Sequence, residues 1–149
     1  MAHTFANLLT HVIFSTKDRQ PLISRDLKPD LLAYVGGIVR ELQGKCVTAN
    51  SMPDHIHLLL WLPPSVAIAE ALRIVKTNSS RWVHRKSAHR GFAWQTGYGA
   101  FSVSQSNAPS VVKYIGEQDK HHQRVTFQEE FVNFLKKNGV HYDVRYIWE

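Results

Sequence analysis

The spacing of apolar residues along the 149-residue chain predicts an α+β domain. Three observations carry that reading. Short β-branched and aromatic runs recur within 7–16, 46–62 and 92–104. Between them lie two stretches whose apolar residues repeat at helical spacing. After the last run come two further segments that carry helix start signals. The order β-α-β-β-α-β followed by helices is the split βαβ pattern of ferredoxin-like and RRM-like sheets. With no internal repeat and no low-complexity linker, residues 1–149 are expected to form a single domain.

The first run, NLLTHVIFST at 7–16, is bounded by the polar Lys17-Asp-Arg-Gln20 and reads as a strand. Leu27, Leu31, Val35, Ile38 and Leu42 then recur at helical spacing, with Pro29 near the start and Gly44 just past the end. Gly36 and Gly37 weaken that helix by about 1 kcal/mol each relative to alanine, which close packing against a neighbour would explain. Residues 46–62 read as two strands joined at Met52-Pro-Asp54. Ser65 is the expected N-cap of a long helix whose apolar face runs through Ile68, Leu72, Val75, Ser79, Trp82 and Val83. A fourth strand is expected within 92–104, interrupted by Gly97 and Gly99. Asn107 and Pro109 open a short helix that reaches about His122, and Thr126-Phe-Gln-Glu129 is a capping box for a last helix ending at Asn138-Gly139.

Lys and Arg outnumber Asp and Glu by 18 to 12, a formal charge of +6, and there are nine histidines besides. A balance of this sign suits a polyanion such as nucleic acid. The single cysteine, Cys46, excludes an internal disulfide framework. The opening MAHTFANLL lacks a basic segment leading into an apolar core, so no signal peptide is expected. The longest apolar run, 56–64, is far short of the roughly 20 residues that cross a bilayer. A soluble, cytoplasmic protein with no membrane partner is the expectation.

Three features carry chemistry. In His55-Ile56-His57, residues two apart on a strand project to one side, while Ile56, Leu58 and Leu60 point to the core. Two imidazoles so placed can hold one divalent ion, although strand histidines with ordinary hydrogen-bond partners give the same pattern. Tyr114 and Gln118 are four apart and share a helix face. A phenol is a poor nucleophile at its free pKa of about 10 and becomes useful where a metal polarises a phosphodiester beside it. The third feature is the stretch holding Arg73, Lys76, Arg81, Arg85, Lys86 and Arg90, which has no Asp or Glu and has Trp82 and then Trp94 near it. Such groups engage phosphates and stack bases, or simply form a solvated face, with Trp82 placed on the apolar side. A zinc hydrolase is not expected, since no third His, Cys or carboxylate stands at a zinc-ligand spacing.

Taken together, these motifs resemble the IS200/IS605 family of single-tyrosine transposases, a branch of the HUH endonuclease superfamily. The resemblance lies in NLLTHVIFST (7–16), MPDHIHLL (52–59), VKTNSSRW (75–82), FAWQTGYGAF (92–101) and YIGEQDKHH (114–122). It implies that His55, His57 and Gln118 bind Mg²⁺ or Mn²⁺, while two histidines plus an amide also tolerate Co²⁺ or Ni²⁺. It implies that Tyr114, on the C-terminal helices, is the catalytic nucleophile, attacking single-stranded DNA to leave a 5′-phosphotyrosine and a free 3′-hydroxyl. A second 3′-hydroxyl then rejoins the strands without ATP. The family recognises hairpins near the ends of its element and acts as a homodimer, with the tyrosine helix of one subunit over the histidines of the other.

Arg73, Lys76, Arg81, Arg85, His121 and His122 are the expected DNA contacts, although a histidine pair favoured by a helix C-terminus is the plainer account of the last two. Gly97, Gly99 and Gly116 are candidate hinges for the tyrosine helix. Two alternatives stand beside this expectation. One is a REP-associated relative with the same chemistry, against which the short tail after Asp143 argues mildly. The other is a non-catalytic single-strand nucleic-acid binder, for which no RNP1-like pattern is present.

Overall fold

The structure is a computed structural model that describes residues 3–86, 89 and 91–149; Arg90 of the basic stretch lies outside the described residues. The chain runs through β1 (Leu9–Ser15), α1 (Leu27–Glu41), β2 (Lys45–Met52), β3 (His55–Trp61), α2 (Ile68–Lys86), β4 (Gly99–Val103), α3 (Ala108–Gly116), α4 (Gln118–His121) and α5 (Phe127–Lys137). The four strands form one antiparallel sheet in the order β2-β3-β1-β4. The α+β class read from the sequence is the one observed, with β3 between β1 and β2, and β1 between β3 and β4.

Strand alternation divides the sheet into two faces. Val12 and Phe14 of β1 and Ile56, Leu58 and Leu60 of β3 join Leu31, Val35, Leu72 and Val75 in the larger core, under α1 and α2. Each such fully buried aliphatic side chain contributes about 1.5–3 kcal/mol. The intervening positions face the other way. There Ile13 packs with Phe101, Phe127, Phe131 and Leu135, and Leu9 and Leu59 pack with Ala108 and Ile115. The sheet is thus covered on both sides, and His55 and His57 lie on the face under α3 and α5.

Local signals account for most boundaries. Thr126 caps α5, its hydroxyl accepting from the Glu129 N–H at 3.2 Å. At the other end Gly139 takes a positive φ of 66° while Val140 N–H donates to the Leu135 carbonyl. Elsewhere the chain departs from expectation. Ser65 lies in a turn, and α2 opens when Ala71 N–H reaches the Ala67 carbonyl, so Ser65 is not its N-cap. After α1 the left-handed residue is Gln43, at φ 64°. Gly44 is needed instead for close approach, because a Cβ there would meet the Trp61 carbonyl at 2.8 Å. The Gly36-Gly37 pair has no such neighbour: space is open at Gly36, and only the Arg40 guanidinium lies 3.8 Å from a Cβ at Gly37. Nothing in the structure explains that pair.

Candidate functional site

The site is assembled on the sheet face that carries the odd-numbered residues of β1 and β3. His55 and His57, 1% and 0% exposed, enter it from β3, and His11, 2% exposed, enters from β1. The His55 Nδ1 lies 2.7 Å from the Asp54 carboxylate. Its Nε2 is buried, has no hydrogen-bond partner, and sits 3.5 Å from Oε1 of Glu130. His57 is held on both sides, with Nδ1 2.9 Å from His11 Nε2 and Nε2 2.9 Å from the same Glu130 oxygen.

The lid over these histidines comes from α3, α4 and α5. Asn50 on β2 donates to the Ile115 carbonyl at 2.8 Å and so fixes the end of α3 over the sheet. The single helix expected to run to His122 is interrupted: α3 stops at Gly116, Glu117 leaves the helical region at φ −102° and ψ 24°, and α4 resumes at Gln118. Tyr114 and Gln118 nonetheless stay together, the Gln118 amide donating to the Tyr114 carbonyl at 3.3 Å. Gln118 Oε1 accepts from His122 Nε2 at 2.9 Å, and the Val125 carbonyl accepts from His122 Nδ1 at 2.8 Å. His122 Nε2 lies 3.3 Å from Glu130 Oε1. The second Glu130 oxygen, Oε2, accepts a hydrogen bond from the Tyr114 hydroxyl and lies 3.1 Å from His121 Nε2.

Glu130 is therefore the hub. Burial opposes its charge, yet hydrogen bonds from His122, His57 and Tyr114 outweigh that, and the carboxyl is held far below the usual range. The same carboxylate acts back on its partners. The Tyr114 phenol is pushed above its ordinary value, first by burial and then by Glu130. His122 is raised because Glu130 outweighs its burial. His11 is pulled down to about 3 by burial and by the neighbouring His57. Burial likewise lowers His57.

Two openings meet at Tyr114. One, of about 390 Å³, is lined by His11, Asn107, Tyr114, Glu130 and Lys137 among others. The other, of about 630 Å³, is lined by Tyr114, Glu117, Lys120, His121, Gln123 and Arg124. The tyrosine thus stands at the boundary of two clefts with cations at their rims.

The structure does not bring the α2 cations to this place, because α2 packs on the opposite face of the sheet. Arg73 is exposed and paired with Glu70 through bonds of 2.7 and 3.0 Å. Lys76 turns inward to the carbonyls of Gln95, Thr96 and Gly97, and burial pulls its ammonium down to about 8. Its contacts are those of a strut between α2 and the 95–97 loop, since an ammonium held by three carbonyls has little left to offer a phosphate. Arg81 and Arg85 are exposed. Trp82 stacks on Tyr34 at 4.9 Å, and Trp94 is buried edge-on to Phe14 and Phe92, so neither presents a free face for a base.

Glu130, His11 and Asp54 escaped the sequence reading. A signal for Glu130 exists: it sits on the apolar face of α5 beside Phe127, Phe131 and Leu135, where an acid needs partners. His122, read as a DNA contact or a helix-end group, lies instead within the cluster. Within this one chain the Tyr114 ring lies 5.9 Å from that of His57 and 6.3 Å from that of His11.

Comparison with known proteins places this geometry in a family. The model described as "Transposase IS200 like" matches residues 4–118. The chain belongs to the IS200-like transposases. It is 28% identical over 133 residues to the transposase for insertion sequence element IS200 of Salmonella typhimurium, covering 80% of this chain and 84% of that one. It is 26% identical over 114 residues to the ISDra2 transposase TnpA of Deinococcus radiodurans, covering 72% and 81%. A crystal structure of a candidate transposase from Deinococcus radiodurans R1 superposes with a TM-score of 0.62 at 26% identity, covering 79% of this chain and 95% of that one. A REP-associated tyrosine transposase, solved bound to a REP hairpin, shares the fold at a TM-score of 0.59 and 15% identity, with coverages of 84% and 76%.

Proposed function

We propose that this transposase cleaves and rejoins single-stranded DNA at hairpin-bearing ends, with Tyr114 as the nucleophile and a divalent metal as cofactor. The observation that carries this reading is the Tyr114 hydroxyl bonded to a carboxylate whose other oxygen faces the histidine pair, at the mouth of two clefts.

The residues fit a metal. His55 Nε2 is buried and makes no hydrogen bond, an arrangement that costs free energy and that a bound cation would relieve. On the reading from resemblance, His55, His57 and Gln118 would hold Mg²⁺ or Mn²⁺. When bound, such an ion withdraws charge from the phosphodiester and from the departing 3′-oxygen.

The chain's own residues do the rest. Glu130 holds the phenol and takes its proton through Oε2 as the tyrosyl oxygen bonds to phosphorus. The bond from phosphorus to the 3′-oxygen breaks, leaving a 3′-hydroxyl once that oxygen gains a proton. The 5′-phosphate stays on Tyr114. Attack by another 3′-hydroxyl, which gives its proton to water, reverses these steps, and Glu130 returns the proton to the phenolate. Lys120, Arg124, Lys137 and His121 bind backbone phosphates beside the tyrosine, while Arg81 and Arg85 offer a second, more distant contact. A homodimer acting in the cytoplasm completes the proposal; no helix among the described residues is long and apolar enough to cross a membrane.

The test is a denaturing gel of the protein with end-labelled single-stranded DNA from candidate element ends. A covalent protein–DNA band is expected with Mg²⁺ or Mn²⁺ and lost with chelator. DNA bound but never joined, under every metal condition, would replace this reading with that of a non-catalytic binder.

A further inference from the structure

The polar run after β1 does more than end the strand. Asp18 and Arg19 stand consecutively in the left-handed region, at φ 54° and 57°. L side chains avoid that region, and two in succession persist only where the surroundings over-determine them. Thr16 supplies the fastening. Its N–H donates to the Asp54 carbonyl at 2.9 Å, and its hydroxyl donates to the Gln20 carbonyl at 2.6 Å. Lys17 N–H donates to the Ala93 carbonyl at 2.9 Å. The segment is thereby bolted to the turn that precedes His55, and it displays a half-buried arginine there. The Arg19 guanidinium lies over the Trp148 ring at 5.2 Å, and that indole packs against Phe127 and Phe131 of α5. Among the described residues no carboxylate pairs with Arg19, whereas Arg73 is closed by Glu70 and Arg145 by Asp143. A guanidinium held by its face keeps its N–H edge for an anion. Arg19 stands on a cleft of about 470 Å³ whose wall also holds Asp54, His55, His122, Thr126 and Gln128. Asp54, the acid there, is already bonded to His55 Nδ1. Tyr114 lines the other two clefts and not this one.

We propose that Arg19 binds a backbone phosphate of the DNA strand that departs with the 3′-hydroxyl, and that Trp148 is the residue that positions it. The assignment to that strand rests on the Tyr114 chemistry proposed above. In a displacement at phosphorus the entering and leaving oxygens stand roughly in line. With Tyr114 entering from its own clefts, the leaving 3′-oxygen and its strand lie across the histidines, where the third cleft and Arg19 are. The planar fork engages two phosphate oxygens at once, which a lysine ammonium does not match. Such a contact repays the strain of holding an arginine left-handed in a segment fixed to the histidine-bearing turn. A strand gripped there is retained after its bond breaks instead of being lost to solution.

The test uses single-stranded oligonucleotides from candidate element ends, each with one phosphate made neutral as a methylphosphonate. Binding to the full chain and to its variants is measured in chelator, and the joined bond is mapped separately with metal. For the parent protein, one neutral phosphate on the 3′-hydroxyl side of that bond should weaken binding about tenfold. Arg19→Gln should lose about the same factor on the unmodified strand and less than about twofold more when that phosphate is neutral, the signature of a direct contact. Arg19→Lys should recover part of the loss, since it restores the charge without the fork. Trp148→Leu should shrink the penalty of the neutral phosphate without abolishing it, an effect that a merely structural role would not produce. Neutral phosphates that cost Arg19→Gln as much as the parent at every position would overturn the proposal. So would a coupled phosphate on the side of the bond that stays joined to the protein. Covalent joining with no such coupling would discard Arg19 and leave the proposed function standing. Coupling to one phosphate of a strand that is never joined would keep Arg19 on a phosphate and discard the proposed function.

Discussion

At the scale of the residue, the molecule turns on a buried acid that shares its two oxygens between histidines and a phenol. A carboxylate in an apolar setting is costly unless paired, and here pairing outweighs burial. The phenol it holds is pushed away from ionisation, so in the proposed reaction Tyr114 needs a proton acceptor at the moment of attack. Glu130→Gln keeps the shape but removes that acceptor, and DNA joining should fall by roughly 10²–10⁴ with DNA binding retained. Single-turnover rates at saturating metal check this, and a fall of less than threefold would remove Glu130 from the reaction. The pairing of His55 with His57 was legible in the sequence because strand periodicity brings them together locally, and Tyr114 and Gln118 stay close despite the break at Glu117. Glu130 was not legible, because its role depends on α5 folding back across the sheet, which no spacing records.

At the scale of the element, the placement of α5 decides whether the site closes. Gly99 on β4 lies directly under it: a Cβ there would meet the Phe131 ring at 2.7 Å and the Phe101 ring at 3.1 Å. Gly99→Ala should therefore cost about 1–3 kcal/mol by overpacking and tilt α5, with Glu130, away from Tyr114. Urea denaturation together with the joining rate checks both effects, and unchanged stability would show that the rings yield freely. Gly116 is the contrary case. It ends α3 with open space around it, so Gly116→Ala should be tolerated, changing stability by no more than about 1 kcal/mol. Slowed joining in a stably folded Gly116→Ala would restore the hinge expected from the sequence; unchanged kinetics would leave the break at Glu117 as the only interruption of that helical segment. The capping box at Thr126 and the glycine end of α5 were readable because caps are local chemistry. The interruption at Glu117 was not, since it follows from fitting two short helices over β2.

At the scale of the whole molecule, the sheet separates two faces of different character. The α2 face carries exposed arginines far from the histidines, and the α3–α5 face carries the cluster. The inward face of β3, with Ile56, Leu58 and Leu60 opposite the histidines, followed from the alternation of residues along that strand. The division of labour between the faces did not, because charge along a helix says nothing about which side of the sheet the helix covers. Lys76 illustrates this, its ammonium bound to three carbonyls of its own chain. The cluster also gives the fold a pH dependence. His11, with its pKa lowered from 6.5 to about 3, is neutral in the folded state over a range where the unfolded chain is protonated. The unfolded state therefore binds more protons, and stability falls as pH drops from 6.5 toward 3. His57 and Glu130 act in the same direction, and the raised His122 opposes them. Urea midpoints of the metal-free protein should decrease steadily between pH 6.5 and 4. A midpoint constant across that range would mean that the cluster is hydrated in solution.

In the proposed reaction one oxygen, on Tyr114, bears the DNA. The most direct measurement isolates the covalent adduct formed with single-stranded DNA, digests both components, and locates the nucleotide-bearing residue by mass spectrometry. Nucleotide on Tyr114, with no adduct recovered from Tyr114→Phe, is the predicted result. Nucleotide on any other residue, or an undiminished adduct in Tyr114→Phe, would contradict the account.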